Sequence, residues 1–133
     1  AEISRLRTAG RPLRFDGVLD EPALNAAWAA CSFSVYPSEI EGFGLPIIES
    51  LARGKPCLCA ATGATAELVP GGGCLGVQPA SAAIFAEAMR RLLTDEALRL
   101  RLVEEARLRA LPTWEDCARQ LLDWMSQLPP RRH

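Results

Sequence analysis

The sequence has 133 residues, 49% apolar and 23% charged, with a net charge of −1. That is one domain's worth of an ordinary globular chain, long enough to bury about two-thirds of its unfolded surface. The near-neutral charge gives no field favouring nucleic acid or an anionic membrane, no apolar run approaches the roughly 20 residues that span a bilayer, and residues 1–14 lack the apolar centre of a signal peptide.

Residues 13–18 read as a strand. Asp20 can cap a helix with Pro22 in its first turn, running to about Ala30. Residues 33–36 read as a second strand, ending at Pro37, and residues 38–45 as a loop. Pro46 starts a helix that Gly54 stops. Residues 56–60 form a third strand, whose small apolar side chains suit a parallel strand covered on both faces. After Thr62-Gly63-Ala64 a short helical stretch reaches about Val69, residues 70–73 turn, and residues 74–77 make a fourth strand. Ser81 caps a helix to Leu93, and Thr94 or Asp95 caps another to about Ala110. Thr113 and Asp116 resemble a capping box, although Glu or Gln usually takes the second place, for a last helix over residues 114–128 ended by Pro129-Pro130. Strands alternating with helices predict an α/β fold: a parallel sheet with flanking helices.

Cys31, Cys57, Cys59, Cys74 and Cys117 form no C-x-x-C pair, and the only histidine is His133. A zinc site needs about four ligands, and no set of four is apparent. The cysteines read as reduced, small apolar core residues of a cytosolic protein. Arg99, Arg101, Arg107 and Arg109, interspersed with Glu104 and Glu105, read as a solvated helix face rather than an anion site.

The chemistry concentrates in Ser38-Glu-Ile-Glu-Gly-Phe-Gly-Leu-Pro-Ile-Ile-Glu49. This segment joins a strand's carboxyl end to a helix's amino end, the edge where open α/β sheets bind ligands. Gly42 and Gly44 let backbone N–H groups approach an anion, and the helix start adds its unpaired N–H groups and positive dipole end. Such a cradle suits a phosphate or pyrophosphate. Glu49 tilts back toward the same loop and can accept from two neighbouring hydroxyls, as a ribose presents. Glu41, just before the glycines, can reach a second polyol. The sum is the layout of a nucleotide sugar. Other readings stay open on these grounds. Glu49 can merely complement the helix dipole, with the glycines serving only the turn. A dinucleotide fingerprint is a poorer fit, because Ile47 stands where G-x-G-x-x-G needs its third glycine. A glycosidase carboxylate pair leaves the helix start without a ligand.

The segment resembles the signature of the retaining GT-B glycosyltransferases of the group 1, or family four, type. These include bacterial mannosyl- and glucosyltransferases and the sucrose and glycogen synthases. Pro37-Ser38, then Glu41-Gly-Phe-Gly-Leu-Pro46, then Glu49 eight positions after Glu41 match it throughout. So do Phe15-x-Gly17, Ala52-x-Gly54-x-Pro56, Gly63-x-x-x-Glu67 and Thr113-Trp114-Glu115, in the family's order over about residues 13–125. The resemblance implies the carboxy-terminal, Rossmann-like half of a GT-B fold. Of the family's six strands, ordered 3-2-1-4-5-6, about four are expected here, those resembling 3, 4, 5 and 6. Residues 1–12 would be the tail of the helix entering the first of these. Strands 1 and 2 and the amino-terminal acceptor domain are expected to lie outside the chain. Residues 13–18 should then pair directly with the second strand, or another segment should fill the gap.

By the same resemblance Glu49 binds the donor's ribose hydroxyls, and Glu41 lies at the transferred sugar in a positioning and electrostatic role. Backbone groups of Gly42, Phe43, Gly44 and Leu45 contact sugar and diphosphate, and Gly63 approaches the donor from the neighbouring loop. The family transfers a hexose with retention, uses no metal and has no established protein nucleophile. The expected donor is GDP- or UDP-linked, with GDP-mannose or UDP-glucose the leading candidates, in bacterial polysaccharide biosynthesis. The acceptor, a glycan or a lipid-linked one, belongs to the missing domain. A cytoplasmic protein is expected, with the full-length form peripherally associated with the inner face of the membrane. The family's basic diphosphate pair lies upstream. Lys55, the only lysine, precedes the third strand and so sits at the wrong edge of the sheet, and transfer by this chain alone is not expected. Two other readings remain: a module that holds a nucleotide or nucleotide sugar without transferring it, and an unrelated interaction domain.

Overall fold

The computed structural model describes residues 2–129. Pro130, the second half of the expected helix stop, and His133 lie outside the described residues. The chain divides into two compact units, Ala1–Cys31 and Ser32–His133.

The first unit holds α1 (Glu2–Thr8) and α2 (Glu21–Ala30). Asp20 caps α2 as expected, its carboxylate accepting from the Ala23 N–H at 2.9 Å. Such a cap contributes about 1 kcal/mol. The expected strand over residues 13–18 does not form. A strand exists by its ladder, and this stretch has none. Gly17 breaks the extended run at φ +66°. Arg14 and Asp16 pair with each other at 2.9 Å. Phe15 and Val18 are exposed.

The second unit carries a parallel sheet of three strands in the order β1-β2-β3: β1 (Ser34–Tyr36), β2 (Cys57–Ala60) and β3 (Cys74–Val77). Its helices are α3 (Leu45–Ala52), α4 (Gly63–Leu68), α5 (Ala82–Thr94), α6 (Glu96–Leu108) and α7 (Trp114–Ser126). The architecture is therefore the expected α/β one, a Rossmann-like parallel sheet with flanking helices, with three strands among the described residues rather than about four.

Every residue of β2 is buried, as a central strand covered on both faces requires. Alternation sends Leu58 and Ala60 to one face, where Val77, Phe85, Ala88, Leu92, Leu98 and Leu102 join them. It sends Cys57 and Cys59 to the other, with Ile47, Leu51, Cys74 and Ala106. Helix α6 serves both clusters, through Leu98 and Leu102 near its start and Ala106 near its end. Burying a side chain such as Leu58 or Ile47 stabilises by roughly 1.5–3 kcal/mol.

The helix boundaries follow their capping residues. Ser81 accepts from Ile84 N–H at 3.3 Å and Asp95 from Leu98 N–H at 2.9 Å. Thr113 and Asp116 form the reciprocal box, with Asp116 N–H to Thr113 Oγ1 at 3.1 Å and Thr113 N–H to Asp116 Oδ2 at 3.0 Å. Gly73 is fixed by crowding: a Cβ there would lie 2.6 Å from Leu51 Cδ2 and 2.9 Å from Ala106 Cα.

Two expectations need correction. Arg109 is no part of a solvated face. Its Nη1 donates to the carbonyls of Leu68 at 2.6 Å and Gly72 at 2.7 Å, supplying partners for a turn whose own backbone cannot. Of the cysteines, Cys57, Cys59 and Cys74 are buried core residues, but Cys31 is half-buried and Cys117 exposed; all five are thiols rather than disulfides.

Candidate functional site

In a parallel sheet all strands point the same way, so the segments leaving Tyr36, Ala60 and Val77 share one edge. The first of these is the glycine loop, residues 37–44, and the second is Ala61-Thr62 leading into α4. A hydrogen bond ties the two: Thr62 Oγ1 donates to the Glu39 carbonyl at 3.0 Å. Below it the buried Thr65 hydroxyl reaches the Ala60 carbonyl at 2.6 Å, holding α4 to the end of β2.

Gly44 is the N-cap of α3, in the left-handed region at φ +85°, ψ +45°, and no side chain caps the helix. A Cβ at Gly44 would stand 3.3 Å from both Ile47 Cδ1 and Leu68 Cδ1. Glycine is therefore required twice over, by conformation and by space. The consequence is a helix start whose dipole faces the loop without a competing side chain; Pro46 has no N–H and the Ile47 N–H is bonded to the Gly44 carbonyl at 2.9 Å, which leaves Leu45 as the first-turn donor. At Gly42 and Gly63 a Cβ would meet nothing within 4 Å. The backbone at both positions is open to an approaching group.

Glu41 is exposed but not loose. Tyr36 Oη donates to its Oε1 at 2.5 Å and Ser38 Oγ to the same oxygen at 2.7 Å. These bonds, Tyr36 first, hold the Glu41 carboxyl below the usual range, and the same carboxylate pushes the Tyr36 phenol up. Glu49 is the fifth residue of α3, exposed, one turn beyond Leu45 and on the same side of the helix. Phe43 and Leu45 are half-exposed and, with Ile48, Pro112, Trp114 and Cys117, line an apolar groove of about 550 Å³.

The structure thus gathers Glu41, Gly42, Phe43 and Gly44 on the loop after β1, with Leu45 opening α3 directly behind them. It sets Gly63 at the first position of α4, just after the adjacent loop, and Glu49 in the second turn of α3. Sequence reasoning missed Tyr36. A signal was present: it is the only tyrosine, at a strand's carboxyl end, five residues before Glu41. Among the described residues no group of three or more His, Cys, Asp or Glu could hold a metal ion, and no helix is long and apolar enough to cross a membrane.

A glycine loop running into a helix without a side-chain cap lies here at the carboxyl edge of a parallel sheet, the edge at which open α/β sheets take their ligands. Residues 10–109 match the family Glycosyl transferases group 1, and the chain belongs to that family. It is 29% identical to the O-antigen chain mannosyltransferase B of Escherichia coli over 84% of this chain and 29% of that protein. It is 34% identical to the MMP alpha-(1->4)-mannosyltransferase of Mycolicibacterium hassiacum over 77% of this chain and 26% of that protein. Its fold matches sucrose-phosphate synthase of Thermosynechococcus elongatus with a TM-score of 0.75 and 31% identity, over 93% of this chain and 32% of the other. Anabaena HepE, in complex with UDP and glucose, shares the fold with a TM-score of 0.75 at 24% identity, over 96% of this chain and 35% of the other. The chain therefore spans about a quarter to a third of the length of these proteins, and its fold is that of part of a GT-B glycosyltransferase.

Proposed function

We propose that this chain is the carboxy-terminal, donor-binding domain of a retaining, metal-independent hexosyltransferase. It takes a GDP- or UDP-linked sugar and acts with an amino-terminal domain that holds a glycan or lipid-linked acceptor. The observation that carries this reading is the fixed Glu41 carboxylate beside two backbone-open glycines and an uncapped helix start. Diphosphate charge is met by the α3 dipole and by N–H groups of Gly42, Phe43, Gly44 and Leu45. Glu49 takes the ribose hydroxyls, Gly63 gives room from the neighbouring loop, and Glu41 takes a sugar hydroxyl. The role of Glu41 is to orient the sugar and offset charge developing at its ring, with no covalent bond to the protein. Family membership and the two mannosyltransferase relatives support hexose transfer. The HepE complex is a case of this fold with a nucleotide and a sugar bound. A cytoplasmic place at the inner face of the membrane fits such a reaction.

The test is a calorimetric screen of GDP- and UDP-sugars against this chain and the full-length polypeptide, followed by transfer and donor-hydrolysis assays on the latter. Weak, saturable binding by the chain and Glu41-dependent turnover by the full-length protein are expected. Binding without any Glu41-dependent turnover would mark a non-catalytic nucleotide-sugar module. No binding by either form would refute the proposal.

A further inference from the structure

Both donors to Glu41 converge on one oxygen. Tyr36 Oη and Ser38 Oγ lie 2.5 and 2.7 Å from Oε1, and neither reaches Oε2. Two donors at these distances use the two lone pairs of that oxygen. The two holders differ in firmness. Ser38 belongs to the exposed loop. Tyr36 closes β1, in register with Cys59, and packs against the buried cluster of Ile47, Leu51, Cys57 and Cys74. Its ring is set by the sheet and has few torsions to lose.

We propose that Tyr36 is a positioning residue of the donor site: with Ser38 it occupies Oε1 of Glu41 and leaves Oε2 as the single carboxylate oxygen offered to a sugar hydroxyl. The proposal rests on the donor-site reading above. A carboxylate on a glycine-flanked loop would otherwise sample several rotamers, and binding would have to order it. Anchoring it from the sheet puts that ordering into folding. It also confines recognition to Oε2, so that a pair of hydroxyls cannot be bridged across the two carboxylate oxygens. The bond holds the Glu41 carboxyl below its usual range and pushes the Tyr36 phenol up. Each partner is the first cause of the other's shift; desolvation also raises the Tyr36 phenol, with Ser38 and the Cys57 thiol as lesser influences, and Ser38 also lowers the Glu41 carboxyl.

Because Tyr36 is the only tyrosine, the ultraviolet absorbance of tyrosinate follows it alone on alkaline titration. In this chain the midpoint is expected above that of free tyrosine and should fall when Glu41→Gln removes the carboxylate. A midpoint insensitive to Glu41→Gln overturns the proposal. If alkaline unfolding intervenes, the NMR shift of the phenolic carbon at neutral pH reads the same bond, and its insensitivity to Glu41→Gln is equally fatal. In the full-length enzyme Tyr36→Phe keeps the ring and loses only the hydroxyl. It should lower kcat roughly tenfold and weaken donor binding about two- to tenfold, because binding must then order the carboxylate. The acid limb of the kcat profile should move to higher pH, and Tyr36→Phe should add nothing on top of Glu41→Gln. Unchanged kcat, or full additivity, overturns the positioning role. If no nucleotide sugar binds the wild type, the donor-site reading fails and the proposal with it. The tyrosine titration then still decides, independently, whether Tyr36 and Glu41 are bonded.

Discussion

The Thr62 hydroxyl donates to the Glu39 carbonyl at 3.0 Å, joining the loop after β2 to the loop after β1 across 23 residues of sequence. It is the tie that sets Gly63 against the glycine loop. Thr62→Val keeps the shape and removes the donor. Because the bond is exposed, the loss of global stability should stay below about 1 kcal/mol. Loop order should suffer more, so nucleotide-sugar affinity is expected to fall about three- to tenfold, with faster amide exchange at residues 39–44. Calorimetry and hydrogen exchange on the same variant check both. Unchanged affinity would free Thr62 of any part in the site.

Glu49 stands exposed in the second turn of α3. A charged hydrogen bond to a ligand contributes roughly 1.5–3 kcal/mol, so Glu49→Ala should weaken donor binding about ten- to a hundredfold in the intact enzyme. The fold should be untouched. Equal affinity in the variant would show that the ribose lies elsewhere.

Gly44→Ala tests the cradle from beneath. The φ of +85° costs an L-residue roughly 1–2 kcal/mol. The new methyl also presses on Ile47, Leu68 and Thr65 at 3.3–3.4 Å. A lower urea midpoint with unchanged m-value is expected, together with loss of nucleotide-sugar binding. Wild-type stability in this variant would mean that the loop can adopt a second conformation at no cost.

Metal dependence is open to direct measurement. The described carboxylates do not cluster, and the α3 start can meet part of the diphosphate charge. The intact enzyme is expected to keep most of its transfer activity in excess EDTA. Complete loss, restored by manganese or magnesium, would contradict the proposed donor site.

What was legible in the sequence was whatever short-range chemistry determines. Asp20, Ser81, Asp95 and Thr113 announced helix starts because caps act within three residues. Gly54 marked the end of α3 for the same reason, with φ +65°. The strand pattern of residues 13–18 looked no worse than that of β3. The difference is a ladder partner, which no local pattern reveals. Arg109 was hidden among other arginines, since only folding brings the Leu68 and Gly72 carbonyls to it from some forty residues away. The glycine loop and both glutamates were readable as a candidate site, but the grip of Tyr36 on Glu41 depends on the depth at which the sheet sets the phenol. That depth is a tertiary quantity.

The split among the cysteines gives the molecule an internal clock. Cys117 lies on the surface of α7 while Cys57, Cys59 and Cys74 sit inside one face of the sheet. A thiol reagent should consume Cys117 at once, the half-buried Cys31 more slowly, and Cys57, Cys59 and Cys74 only when the strands part. The slow phase then reports the opening rate of the sheet without any added label. Three thiols reacting at a common slow rate would mean that the strands open together. Separate rates would show β3 peeling from β2 first. Full modification at the fast rate would deny the buried cluster altogether.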